Sequence, residues 1–270
     1  MSITVDPPAL LPVDHLSISS LKLFQQCPER WRRRYIDRVY EPPSGKMILG
    51  SAAGAAEAQH YGRIIEGSEG MSTEEVLDEF STEWEDRIGR EEVDFGRDTP
   101  GELKDSAAAA LKVYHTVYAP SVQPVSVERE FRIAWPGVDW DLIGFLDLEE
   151  ADGTVGDLKM KGRRMSASDA HADLQPTTYM VARRAEGNPA SRFDFHTMIR
   201  GIKQPTAEIV ATTRSDAQLD AFTDRVFAVA AEMVWRAEND LWVGAAPGIF
   251  KAASDVCSGC GFLDCKWRLA

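Results

Sequence analysis

Apolar positions along the chain follow two different periods. From Ser17 to Pro120 they recur every three or four residues, as on helices, and from Val125 to Met160 they alternate, as on strands. In the first region Ser17 and Ser19 offer capping hydroxyls to a short helix carrying Leu21, Leu23 and Phe24, which is expected to stop near Cys27-Pro28. Pro28 opens a second helix that directs Trp31, Tyr35, Ile36 and Val39 to a core before Pro42, Pro43 and Gly45 end it. Met47 to His60 is rich in small residues and predicts a helix packed closely against a neighbour. The capping box Ser72-x-x-Glu75 opens a helix bearing Val76, Phe80, Trp84 and Ile88. Thr99 to Glu102 opens another, with Leu103, Ala107, Ala110, Tyr114 and Val117 ahead of Pro120.

The second region predicts three antiparallel strands in succession. Val125, Val127, Arg129 and Phe131 alternate with Ser126, Glu128 and Glu130, followed by strands over Trp140 to Glu149 and Thr154 to Met160. Beyond them, Ser168 to Glu186 reads as helix, kinked at Pro176 or starting just after Gln175, with Gln175 and Tyr179 on one side. Asp194 to Ile199 and Ala207 to Thr212 predict strands, and Phe222, Val226, Val229 and Met233 a long helix.

Charge sits where the central hairpin should be apolar. A three-residue loop Ala151-Asp152-Gly153, with Gly153 taking positive φ, pairs Glu150 with Thr154 and so sets Asp147 opposite Asp157; a two-residue loop would separate them. Cross-strand Cβ atoms stand roughly 5 Å apart, and Lys159 shares their face. Carboxylates that close either share a proton or bind a cation, and an oxygen-rich pair suits Mg²⁺ or Mn²⁺. Alone, the same residues would also fit a solvated hairpin with ordinary cross-strand pairs.

The formal net charge of −13 argues against a nucleic-acid partner until its distribution is considered. Glu66 to Asp105 holds 15 acidic and 4 basic residues, a net of −11 that leaves about −2 for everything else. Basic residues gather elsewhere, at Arg30, Arg32, Arg33, Arg34 and Arg38, at Lys159, Lys161, Arg163 and Arg164, and at Arg183 and Arg184, as a phosphate-tracking groove or as ordinary solvated faces. No apolar run is long enough to span a membrane, and no secretory leader is visible, so a cytoplasmic protein is expected.

Four cysteines remain, Cys27 alone and the trio Cys257, Cys260 and Cys265. In a cytoplasmic setting that spacing favours metal ligation over disulfides, and four thiolates suit Zn²⁺ or an iron–sulfur cluster equally. If Cys27 joins the trio, a loop of 257 − 27 = 230 residues is closed.

In order, Ser17-x-Ser19 through Cys27-Pro28-x-x-Trp31, Leu49-Gly50-Ser51, Gly144-x-x-Asp147, Asp157-x-Lys159, Gln175-x3-Tyr179 and the cysteine trio resemble RecB-like nucleases of the PD-(D/E)XK superfamily. They are most similar to the CRISPR-associated iron–sulfur exonucleases, their phage relatives and related helicase–nuclease subunits. The resemblance covers most of the chain. It implies an α/β fold, a mixed sheet flanked by helices, as one nuclease domain over 1–270. Within it, 16–120 form a helical part with the acidic insertion 66–105, 121–240 the catalytic core, and 241–270 a cysteine tail closing on Cys27.

By this resemblance Asp147 and Asp157 hold a divalent metal with the backbone carbonyl of Leu158, and Lys159 orients the attacking water. Gln175 and Tyr179 position the substrate strand, and Cys27, Cys257, Cys260 and Cys265 bind a 4Fe-4S cluster. The expected activity is DNA exonuclease action on single strands or ends, with recombination, replication or CRISPR-adaptation proteins as partners and no membrane. The sequence departs from the family at Gly54, which stands where relatives carry a metal-binding His. Glu57 one turn on is the replacement expected to reach the ion, and His60 a poorer one. A catalytically weak DNA-end-binding or partner-binding module is the alternative that this departure favours, and a zinc site the alternative for the cysteines.

Overall fold

The computed structural model describes residues 8–135, 137–201, 203–245, 256, 257 and 259–267. The chain divides into two compact units, one of Met1–Glu41, Phe131–Gly144 and Ser215–Ala270, the other of Pro42–Glu130 and Phe145–Arg214. Helix and strand placement follows the two periods, with boundaries moved by a few residues.

The first unit holds α1 (Ile18–Gln26) and α2 (Pro28–Tyr35). Cys27 caps both: its backbone N–H closes α1 and its sulfur accepts from Arg30 N at 3.4 Å. Trp31, fully buried, donates to Ser20 Oγ at 2.8 Å and stacks on Trp242 and Tyr35. The second helix ends at Tyr35, earlier than its sequence suggests. Ile36 and Val39 are exposed, because the run of arginines pairs with acidic neighbours and nothing beyond Tyr35 carries the apolar stripe forward. The short β1 (His15–Leu16) pairs in parallel with Asp141 and Leu142. The long α8 (Asp216–Glu238), opened by a Ser215–Gln218 capping box, buries Phe222, Val226, Val229 and Met233.

In the second unit, α3 (Gly45–Ile65), α4 (Thr73–Arg90) and α5 (Pro100–Val117) enclose a core with Ala52, Ala53, Ala56, Val76, Phe80, Trp84, Leu103 and Tyr114. The acidic segment supplies α4, whose charged residues face water around that buried stripe. Val117 is 61 % exposed rather than part of the stripe, since α5 is in its last turn there. Strand β3 (Asp141–Glu150) pairs antiparallel with β4 (Val155–Lys161). β4 runs parallel to β5 (Phe193–Ile199), which pairs antiparallel with β6 (Thr206–Thr212), so the sheet is mixed. Strand β2 (Pro124–Ala134) pairs with β3.

The alternation in β2 slips. Glu128 has φ of +47°, a left-handed conformation rare outside glycine and typical of a bulge, and Val125 is left exposed on the strand's far side of it. The predicted helix over Ser168 to Glu186 is two, α6 (Ala167–Ala172) and α7 (Leu174–Ala185). Asp173 caps α7 by accepting from Gln175 N, which places Pro176 in the first turn, where its missing N–H costs nothing.

Candidate active site

The β3–β4 hairpin has the three-residue loop. Glu150 N donates to Thr154 O at 2.9 Å, Gly153 has φ of +83°, and Leu148 stands opposite Gly156. One residue further, the register sets Asp147 across from Asp157. Leu158 N–H donates to Asp147 Oδ2 at 3.3 Å, and Lys159 Nζ lies 2.7 Å from Asp157 Oδ1.

Helix α7 supplies the other side. Gln175 Nε2 donates to Asp157 Oδ1 and sits 2.8 Å from the Tyr179 hydroxyl, which in turn donates to Asp147 Oδ1 at 3.4 Å. The spacing of four residues puts both side chains on one side of the helix, one turn apart. Asp147, Asp157, Lys159, Gln175 and Tyr179 therefore form one hydrogen-bonded cluster.

Burial pushes the Asp157 carboxyl well above its usual range, and the nearby Asp147 adds to it; Lys159 opposes both. Asp147 is raised too, mainly by burial. Burial works against the Lys159 charge, but the two carboxylates outweigh it and its pKa is raised. A cation-free site thus favours protonation of the carboxylate pair and keeps Lys159 as ammonium. Asp157 is 0 % exposed, and its Oδ2 makes no aligned hydrogen bond although Lys159 Nζ is 2.7 Å away. One ammonium facing two close carboxylates leaves acceptor capacity that a divalent ion would take up.

Asp147, Leu158 and Lys159 line a cavity of about 830 Å³ together with Gly50, Ser51 and Gly54 of α3. The small residues of α3 therefore do two things. Ala52, Ala53 and Ala56 pack in the core as expected, while Gly50 and Gly54 face open space, with no heavy atom within 4 Å of a Cβ added at either. Glu128 borders the same cavity, turned there by its left-handed backbone, and its carboxyl is raised by partial desolvation and by Asp157, with Lys159 opposing. Sequence reading assigned Glu128 to a plain alternating strand and so missed it; no local signal announces the bulge.

Glu57 and His60 do not line this cavity. Glu57 is fully buried and takes His115 Nδ1 at 3.2 Å, while His115 Nε2 reaches Met71 O at 3.1 Å and His60 Nδ1 accepts from Met71 N at 2.9 Å. Both His115 nitrogens thus have partners, and burial raises the Glu57 carboxyl while the His115 contact opposes it. Burial lowers the His115 pKa but the Glu57 and Met71 bonds raise it further. One helical turn beyond Gly54, Glu57 therefore meets His115 in the interior, and neither it nor His60 reaches the cavity beside Asp147.

Several of the basic residues are also committed elsewhere. Arg32 and Arg33 pair with Glu29, Arg30 with Glu41, and Arg183 with Glu149 at 2.7 Å. Arg163 and Arg164 pair with Asp169 and Glu208 beside Lys161.

In the other unit, Cys27, Cys257, Cys260 and Cys265 line one cavity, with Arg30 and Arg33 beside it and Arg33 tied to Asp264 at 2.8 Å. Burial raises the Cys260 thiol, and Cys27 is among the neighbours that act on it. The donor set is four sulfurs drawn from the two ends of the chain.

The sequence matches the family described as the PD-(D/E)XK nuclease superfamily over residues 15–265. Among solved structures, the chain is similar to that of a candidate exonuclease from Eubacterium rectale. The identity is 14 %, 84 % of this chain and 82 % of that chain are covered, and the TM-score is 0.58, a likeness of fold. No curated protein matches. Among the described residues no helix is long and apolar enough to cross a membrane.

Proposed function

From the premise that the chain belongs to the PD-(D/E)XK nuclease superfamily, we propose that it is a metal-dependent DNA exonuclease acting on single strands or ends, with a 4Fe-4S cluster on its four cysteines. The observation that carries this reading is the cross-strand pairing of Asp147 with Asp157 beside Lys159, at the wall of an open cavity. Nucleases of this superfamily use divalent metals, and Asp147, Asp157 and the Leu158 carbonyl would be the groups that hold Mg²⁺ or Mn²⁺.

When bound, the ion acidifies a water and offsets charge on the phosphate. The protein's own groups do the rest. Lys159, kept cationic by its two carboxylates, holds the attacking water and a non-bridging phosphate oxygen. Gln175 and Tyr179 fix the Asp157 and Asp147 oxygens from α7, so these act as positioning residues. The water oxygen forms the new P–O bond and gives its proton to solvent, while the P–O bond to the sugar oxygen breaks and that oxygen takes up a proton from solvent to leave as a hydroxyl. The glycine-lined wall of α3 leaves room for a single strand.

For the cysteines, the family resemblance is what supports a cluster over zinc, and the four sulfurs that line one cavity are the donor set either would need.

End-labelled linear single-stranded DNA run beside circular single-stranded DNA tests the exonuclease assignment. Loss of label from the linear form with the circle intact supports it. Cutting of the circle would make the protein an endonuclease. Gly54 favours one second reading, a weakly catalytic end-binding or partner-binding module, which metal-independent DNA binding without turnover would support.

A further inference from the structure

A second constellation occupies the other face of the same hairpin and its neighbour β5. Side chains alternate along strands, so Glu150, Thr154, Gly156, Asp194 and His196 share one face while Asp147 and Asp157 point to the opposite one. Asp194 is the register partner of Gly156, which has no side chain. His196 Nε2 leans across it, 3.2 Å from where a Gly156 Cβ would be. Glycine here clears a path between β3 and β5.

One ligand atom each from Glu150, Asp194 and His196 lies within 4.8 Å of the other two. Asp194 Oδ1 and His196 Nε2 make no hydrogen bond, and neither does Thr154 Oγ1 on the same face; the three residues are 2 %, 1 % and 0 % exposed. Three buried polar atoms without partners on one small patch is unusual in a folded protein. The other atoms of these groups are engaged. Asp194 Oδ2 pairs with Arg192 at 2.9 Å, Glu150 Oε2 accepts from Gln123 N at 3.2 Å, and His196 Nδ1 meets the Tyr114 hydroxyl at 2.8 Å. Tyr114 is itself held 2.7 Å from the Tyr61 hydroxyl, so the imidazole is oriented from behind, as metal-bound histidines usually are.

We propose that Glu150, Asp194 and His196 bind a divalent transition-metal ion that ties β3 to β5 across Gly156. One nitrogen and two oxygens at this separation suit Zn²⁺. His196 is neutral near pH 7, its pKa lowered to about 4 by burial, which leaves a nitrogen lone pair free to coordinate. Arg192 is a single guanidinium facing two carboxylates, paired with Asp194 and acting on Glu150 as well, so a cation fits the remaining charge better than the water that would otherwise fill the gap. Glu57, His60 and His115 form the contrasting case: there both His115 nitrogens and His60 Nδ1 already have partners.

Equilibrium dialysis against Zn²⁺ tests the site, counting ions by difference so that metal at the cysteines or at Asp157 cancels. Glu150→Gln, Asp194→Asn and His196→Gln are each expected to hold about one Zn²⁺ fewer per chain than the wild type, or to bind that ion at least tenfold more weakly, while Asp157→Asn keeps it. Glu150 is half-exposed, so its variant carries the test if the buried ones misfold. Equal stoichiometry and affinity in the wild type and Glu150→Gln would overturn the proposal and leave the gap to water. The result does not depend on the nuclease reading, which Asp157 tests separately.

Discussion

Lys159 and Asp157 are two residues apart on β4, and the lysine nitrogen lies 2.7 Å from Asp157 Oδ1, so the strand's own alternation builds the pair. The lysine is thus held beside the carboxylate that a metal would use. Lys159→Met is expected to lower DNA hydrolysis by about 10²–10³-fold, the scale of losing one oriented charge donor at a transition state. Far-ultraviolet circular dichroism should remain native. Activity within a few-fold of wild type would remove Lys159 from the chemistry.

The raised carboxyls at Asp147 and Asp157 give a signed pH dependence. Groups whose folded pKa exceeds the unfolded value, here 3.8, stabilise the protein below that value and lose this contribution as pH rises through the folded pKa. With chelator present, the melting temperature should therefore fall as pH rises from about 4, more than in Asp157→Asn, and Mn²⁺ should restore it towards neutral pH. A wild-type and Asp157→Asn pair with parallel profiles would contradict the assignment.

Gly54 invites a gain of function. Its helical position faces open space beside Asp147, so a side chain fits without displacing a neighbour. Gly54→Ala should stabilise the protein by about 0.5–1 kcal/mol through helix propensity alone. Gly54→His should in addition tighten Mn²⁺ binding, measured by calorimetry, by tenfold or more over Gly54→Ala. Equal affinity in the two variants would place position 54 outside the metal's reach.

Closing 230 residues through Cys27 and the trio should stabilise the fold by on the order of 5 kcal/mol, by the loop-closure reasoning used for disulfides. Cys27→Ser, purified anaerobically, is expected to lose the brown colour and to unfold at markedly lower denaturant than the loaded wild type. A colourless wild type holding stoichiometric zinc would instead identify a zinc site.

The hairpin was legible in the sequence because register is arithmetic: a three-residue loop ending in Gly153 leaves only one partner for Asp147. Gln175 and Tyr179 were legible through helical spacing. Glu128 was not, since one left-handed residue breaks the two-residue period that sequence reading relies on. The Glu57 contact was hidden for a different reason: its partner His115 lies 58 residues away on another helix, and no local pattern reveals which buried base a buried acid will meet. The Glu150, Asp194 and His196 group depends on two strand registers and a gap at Gly156, so it exists only in three dimensions.

The most direct test of the central claim is degradation of end-labelled single-stranded DNA by anaerobically purified protein, with Mn²⁺ or Mg²⁺ against chelator, run beside Asp157→Asn. Metal-dependent shortening that the variant abolishes while remaining folded is the predicted result. Shortening at an unchanged rate in Asp157→Asn, or none from intact metal-supplied wild type, would contradict it.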